Sequence, residues 1–123
     1  MNAQGVAQWH QTAAWIMIAV NASGGLWALA AQWLPVLRFR PMWIVVIIGQ
    51  IMAFVLAFTG AILVSRFDRP LDDFHALYGF SAVITVGIVY SYRKSPFMKD
   101  NEHLLYGLGC LFLMGLGIRN LYL

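Results

Sequence analysis

Four long stretches almost without charge decide what this chain can fold into. They run over about residues 12–34, 42–65, 74–92 and 104–121. About twenty apolar residues cross the roughly 30 Å of a bilayer's hydrocarbon at 1.5 Å per helical residue. The first three stretches meet that length; the fourth meets it with Arg119 near its end reaching for the interface. The chain has 123 residues, 61% hydrophobic and 11% charged, so nothing is left over for a soluble domain. The expected fold is all-α: one domain, an up-down bundle of four transmembrane helices.

The punctuation agrees. Pro35 and Pro41 fall in the first connection, Pro70 in the second and Pro96 in the third, where no intrahelical donor is lost. Short connections make consecutive helices antiparallel neighbours. The first stretch is preceded by no Lys or Arg and is too long for a signal peptide's apolar region, so a retained helix is expected. Arg38, Arg40, Arg93, Lys94 and Lys99 lie in the first and third connections, against Arg66, Arg69 and Arg119 on the other side. The positive-inside rule then puts both termini outside the plasma (inner) membrane. Trp9, Trp33, Trp43, Tyr90, Tyr92, Tyr106 and Tyr122 gather at span ends, as an interfacial belt does.

Small residues mark close helix contacts. Gly49, Ala53, Ala57 and Ala61 form an i, i+4 ridge on the second span. The first carries Ala22, Ser23, Gly24, Gly25 and Ala28; the fourth carries Gly107, Gly109, Gly115 and Gly117. In lipid such surfaces let helices approach closely. Asn21, Gln50, Thr59 and Thr85 are the main polar residues within the spans, and interhelical hydrogen bonds account for them. Cys110, the one cysteine, reads as packing.

One phrase occurs twice. Asp72-Asp73-Phe74-His75-Ala76-Leu77-Tyr78-Gly79 returns as Asp100-Asn101-Glu102-His103-Leu104-Leu105-Tyr106-Gly107, each copy opening a span and followed eight residues later by a glycine, Gly87 or Gly115. Antiparallel helices would put the copies at opposite membrane faces, a small inverted repeat. The simplest account is structural: Asp72 and Asp100 cap their helices, the histidines and tyrosines sit at the interface, and Gly79 and Gly107 admit a neighbour.

Three chemical uses of these residues are open. His10 and His75 fall at the same face on the first and third helices, diagonal partners in an up-down bundle, and two such imidazoles can be axial ligands of haem b. The pairs His75–Tyr78 and His103–Tyr106 stand at i, i+3 and can bond a quinone carbonyl or a lipid head group. A divalent metal held by Asp68, Asp72, Asp73, His75 and His10 is disfavoured, because the aspartates serve as caps and counter-charges. No P-loop, zincin, CxxC, nucleophile-elbow or dinucleotide motif occurs. No Asp, Glu, Lys or Arg sits at mid-membrane, against a pump or proton-coupled transporter.

The stretch Leu104–Gly109 through Leu113–Asn120, with Phe80–Arg93 before it, resembles small uncharacterised four-helix integral membrane proteins of bacteria. The resemblance implies a bacterial plasma membrane and carries over no functional residue; the functional expectation rests on the missing catalytic motifs and on the small-residue surfaces. The first expectation for function is therefore a non-catalytic small membrane subunit without cofactor. It would pack in the bilayer against a larger membrane complex or its own copies, plausibly in electron transport, with no nucleic acid involved. The alternatives are the His10/His75 haem-b electron carrier and a quinone- or lipid-binding protein using Tyr78, His103 and Tyr106.

Overall fold

The computed structural model describes residues 2–68, 70, 72–98 and 100–121; Arg69, Lys99 and Tyr122, counted above for charge or belt, lie outside them. The chain forms four helices and, among the described residues, no strand: α1 Ala3–Trp33, α2 Arg40–Phe67, α3 Asp73–Tyr92 and α4 Glu102–Leu121. All four are long and apolar enough to cross a membrane. Short 3-10 turns at Pro35–Leu37 and Pro96–Met98 close one end of the bundle; the termini and the α2–α3 connection share the other. These are called below the 3-10 end and the termini end.

Helix α1 begins nine residues before the apolar stretch does. Asn2 caps it, its Oδ1 accepting from the Gly5 amide at 2.8 Å, so the polar stretch with Gln4, Gln8 and Gln11 continues the helix. His10 thus stands two turns inside α1, where the sequence alone leaves it just outside the span. At the other end Arg38 folds back, donating from its guanidinium to the carbonyls of Ala31 and Gln32, both at 2.7 Å. A cation on the last carbonyls suits the negative end of the helix dipole. Helix α2 ends at Asp68, whose φ of 52° is left-handed and whose amide bonds Leu63; aspartate tolerates this region better than most residues.

The bundle is up-down with α1 and α3 on one diagonal, α2 and α4 on the other, but its seams are unequal. Helix α1 packs closely along both α2 and α4, whereas α3 leans on α4 and meets α2 only sparsely. The closeness comes from glycine. A Cβ on Gly107 would stand 2.8 Å from the Leu29 backbone nitrogen, and one on Gly25 would stand 2.9 Å from Leu111. On the other flank, Gly49 lies against the fully buried Asn21, whose Nδ2 donates to the carbonyls of Met17 and Gly49 at 2.9 and 3.2 Å.

Two apolar clusters fill the interior. One joins Ala28, Ala31, Met42, Val46, Val89, Tyr106 and Cys110. The other joins Met17, Ala53, Ala82, Val86, Leu113 and Leu116. Large apolar side chains such as Leu26, Ile51, Phe58, Phe80 and Phe112 stand outside, at half exposure or more. That inversion is stable in hydrocarbon, which makes this a multi-pass membrane protein with lipid against its surface.

Several sequence expectations are corrected. Only half of the α2 ridge is internal: Gly49 and Ala53 are buried, Ala57 and Ala61 exposed. Of the repeat's glycines, Gly107 meets a backbone while Gly79, Gly87 and Gly115 face open space. Asp72 occupies the cap position of α3 without a side-chain bond to it. Asp100 does not cap α4, which starts at Glu102. There Gln32 of α1 does the work, its Oε1 accepting from the Leu104 amide at 3.1 Å and its Nε2 bonding Asn101 Oδ1 at 3.2 Å. Trp43 and Tyr106 are not belt residues, because helix rotation turns both into the 3-10 end of the bundle, edge to face at 5.0 Å.

Candidate functional site

At the termini end, side chains from all four helices converge. The His10 and His75 ring centres stand 6.2 Å apart with their planes tilted by 51°. Diagonal helices thus meet here through their imidazoles. His10 Nδ1 lies 2.6 Å from Thr59 Oγ1 on α2. The Thr59 hydroxyl also lies 2.9 Å from the Val55 carbonyl and 3.1 Å from that of Leu56. Carbonyls only accept, and the hydroxyl has one proton. The arrangement satisfying every partner sends that proton to the backbone and has His10 donate from Nδ1 to Thr59. Assigned from this network, the tautomer leaves the Nε2 lone pair free.

The backbone beneath His75 is held by α4: Asn120 Nδ2 donates to the His75 carbonyl at 3.2 Å, while Asn120 Oδ1 is buried without a partner. The flanks are lightly built. A Cβ on Gly60 would touch His10 Cε1 at 3.3 Å, and one on Gly79, a turn beyond His75, would touch nothing within 4 Å. The fully buried residues of α3 are Ala82, Val86 and Val89, so its first nine residues contribute only the partly buried Tyr78 to the core clusters.

The repeat's other members part company. Tyr78 packs against the deep cluster around Met17 and Leu113. His103 and Tyr106 both lie against Trp43, tilted and edge to face, at 5.2 and 5.0 Å between ring centres. His103 Nε2 is buried with no hydrogen-bond partner. Beside this aromatic group lies a groove of about 430 Å³ between α2, α3 and α4, lined by Trp43, Ile47, Gln50, Tyr90, Arg93, Glu102 and Tyr106. A second groove of about 390 Å³ between α1 and α2 is almost wholly apolar, from Val6 and Trp9 to Ile62, and reads as lipid-facing surface.

The structure therefore joins His10 to His75, and His103 and Tyr106 to Trp43. Sequence reasoning missed Thr59 and Asn120 as site residues. A threonine inside a span carries no mark of the neighbour it orients, and Asn120, next to Arg119 at the end of the fourth stretch, reads as an interfacial residue. No group of three or more His, Cys, Asp and Glu side chains comes together among the described residues. Compared with known proteins, the chain matches no family model, no curated protein and no solved structure.

Proposed function

We propose that this chain is a small membrane electron carrier that binds one haem b between His10 and His75. The observation that carries the reading is the 6.2 Å between the two ring centres. A metal bonded to one nitrogen of each ring, at about 2 Å per bond and about 1 Å from nitrogen to ring centre, sets the centres about 6 Å apart when the rings bind from opposite sides, and closer otherwise. By sequence alone the subunit reading comes first; this pairing reverses the order.

Three further features support it. Thr59 sets the His10 tautomer with Nε2 available, the role usually taken by an outer partner of a metal-binding imidazole. Two imidazoles, with no third His, Cys, Asp or Glu grouped with them among the described residues, fall short of a tetrahedral zinc site but would suffice for a haem, whose porphyrin supplies four nitrogens of its own. Gly60 and Gly79 leave a macrocycle its flanks, and a site near the helix ends would let its carboxylates reach water. Bound haem would supply one-electron chemistry. The chain's part is to hold both rings, fix one tautomer and exclude water with its apolar flanks.

A second reading rests on a different observation. Gly79, Gly87 and Gly115 open onto the bundle surface with nothing over them, and uncovered glycine favours close approach by another helix. The carrier would then work as a subunit of a larger membrane complex, in a plasma membrane with both termini outside.

The test is a visible spectrum of gently purified protein, oxidised and then reduced with dithionite. A Soret band with a reduced α band, lost in both His10→Ala and His75→Ala, is the expected result. Haem content that survives either substitution removes that histidine as a ligand. A blank spectrum from membranes replete in haem sinks the carrier reading and leaves the subunit one. For the latter, Gly87→Leu should shift the native-gel mass of the solubilised protein.

A further inference from the structure

The groove at the 3-10 end stands apart from the histidine pair and does not depend on the haem reading. At about 430 Å³ it falls within the usual size of small-ligand sites. It runs along the α2–α3 seam, the loosest between consecutive helices. Ile47 and Tyr90 in its lining are 52% and 62% exposed, so it opens sideways into the bilayer, giving a long apolar tail a way out.

The lining selects among amphiphiles. Trp43, Tyr90 and Tyr106 provide aromatic walls suited to a flat ring. Among the described residues its lining carries one charge of each sign, Arg93 and Glu102; Arg93 is already placed over the Tyr90 ring at 4.4 Å. A net-neutral lining fits an uncharged head group, and Glu102 stands against a simple anionic lipid. Gln50, ten residues into α2 and so about 15 Å from its start, puts a carboxamide in the groove at hydrocarbon depth. A lipid tail has no use for that group. An amide and a phenol each both donate and accept, so Gln50 and Tyr106 can bond a carbonyl or the hydroxyl it becomes on reduction.

From this lining we infer that the groove binds the head group of a lipid-soluble quinone, its ring among Trp43, Tyr90 and Tyr106 and its oxygens on Gln50 and Tyr106. The histidine of this second repeat copy backs Trp43, so the same phrase serves a different chemistry at each end of the bundle.

The test titrates a decyl-tailed benzoquinone into the protein in phosphatidylcholine nanodiscs and follows tryptophan fluorescence. Saturable quenching is expected. Trp43→Phe should remove the saturable part, leaving the linear quenching of the other tryptophans by dissolved quinone. Gln50→Leu and Tyr106→Phe should each weaken binding at least tenfold while remaining helical and monodisperse. Ile47→Trp, at an exposed position, should block the groove without touching the core, so the inference stays testable if the inner variants misfold. Linear quenching throughout overturns the inference, as does saturable quenching indifferent to Gln50, Tyr106 and Ile47. Native mass spectrometry adds a third overturning outcome: a retained zwitterionic phospholipid that the quinone fails to displace.

Discussion

Replacing Gly107 by alanine adds one methyl group where α1 and α4 touch backbone to backbone. The new Cβ would fall 2.8 Å from the Leu29 nitrogen and 3.0 Å from Leu29 Cα. Neither atom can swing aside as a side-chain tip would, so the helices must part locally by several tenths of an ångström. Overfilling of this kind costs about 1–3 kcal/mol. Alanine also returns about 0.5–1 kcal/mol by removing a helical glycine. Gly87→Ala isolates that second contribution, because its Cβ meets nothing within 4 Å. The difference between the two variants should thus be the steric cost alone, about 1–3 kcal/mol, or roughly 5- to 150-fold in the unfolding constant. Unfolding in mixed micelles with rising SDS fraction, followed by circular dichroism or tryptophan fluorescence, measures both. Gly107→Ala should unfold at a lower SDS fraction than the parent, and Gly87→Ala at an equal or higher one. If Gly107→Ala is as stable as Gly87→Ala, α1 and α4 do not meet at Leu29 and the described packing is wrong.

Thr59→Val keeps the shape beside His10 but removes its acceptor. Haem should still bind with the bis-histidine spectrum, about 10- to 100-fold more weakly, as read by haem titration; unaltered affinity would mean that Thr59 does not orient the ring. Ala53→Leu, at a position 2% exposed, should destabilise the bundle by about 1–3 kcal/mol. Ala57→Leu one turn on should leave the isolated chain unchanged in the same micelle assay, and equal losses would place the whole ridge inside. Gln32→Leu strips the Leu104 amide and Asn101 of their partner and should cost about 1 kcal/mol, with hydrogen exchange rising first in the opening turn of α4. Exchange that rises elsewhere instead would contradict the cap.

The four helices were legible because hydrophobicity over twenty residues reports directly on what lipid tolerates. The start of α1 was not, since Gln4, Gln8 and Gln11 are as compatible with a tail as with a helix projecting past the hydrocarbon; only Asn2 marked it. The diagonal placement of His10 and His75 followed from counting helices, but their meeting depends on rotation and depth, which no residue type records. The same ignorance of rotation made Trp43 and Tyr106 look like belt aromatics. Thr59 stayed hidden because a hydroxyl bonding its own backbone and one also serving a neighbour's imidazole look alike in a sequence. The repeat shows the limit most plainly. One phrase gives an imidazole facing another imidazole in α3 and an imidazole stacked on indole in α4, because the neighbours differ.

The closeness of α1 to α4 also bears on how the protein is made. During synthesis α1 leaves the ribosome with α2 soon beside it, yet the partner for its other flank, α4, is translated only after α3. Until α4 is inserted, Gly25 and Leu29 have only lipid where Leu111 and the Gly107 backbone belong, and α3 lacks its better support. The bundle therefore closes in a single late step, and a chain cut short before Glu102 would present a half-built groove for membrane quality control to recognise.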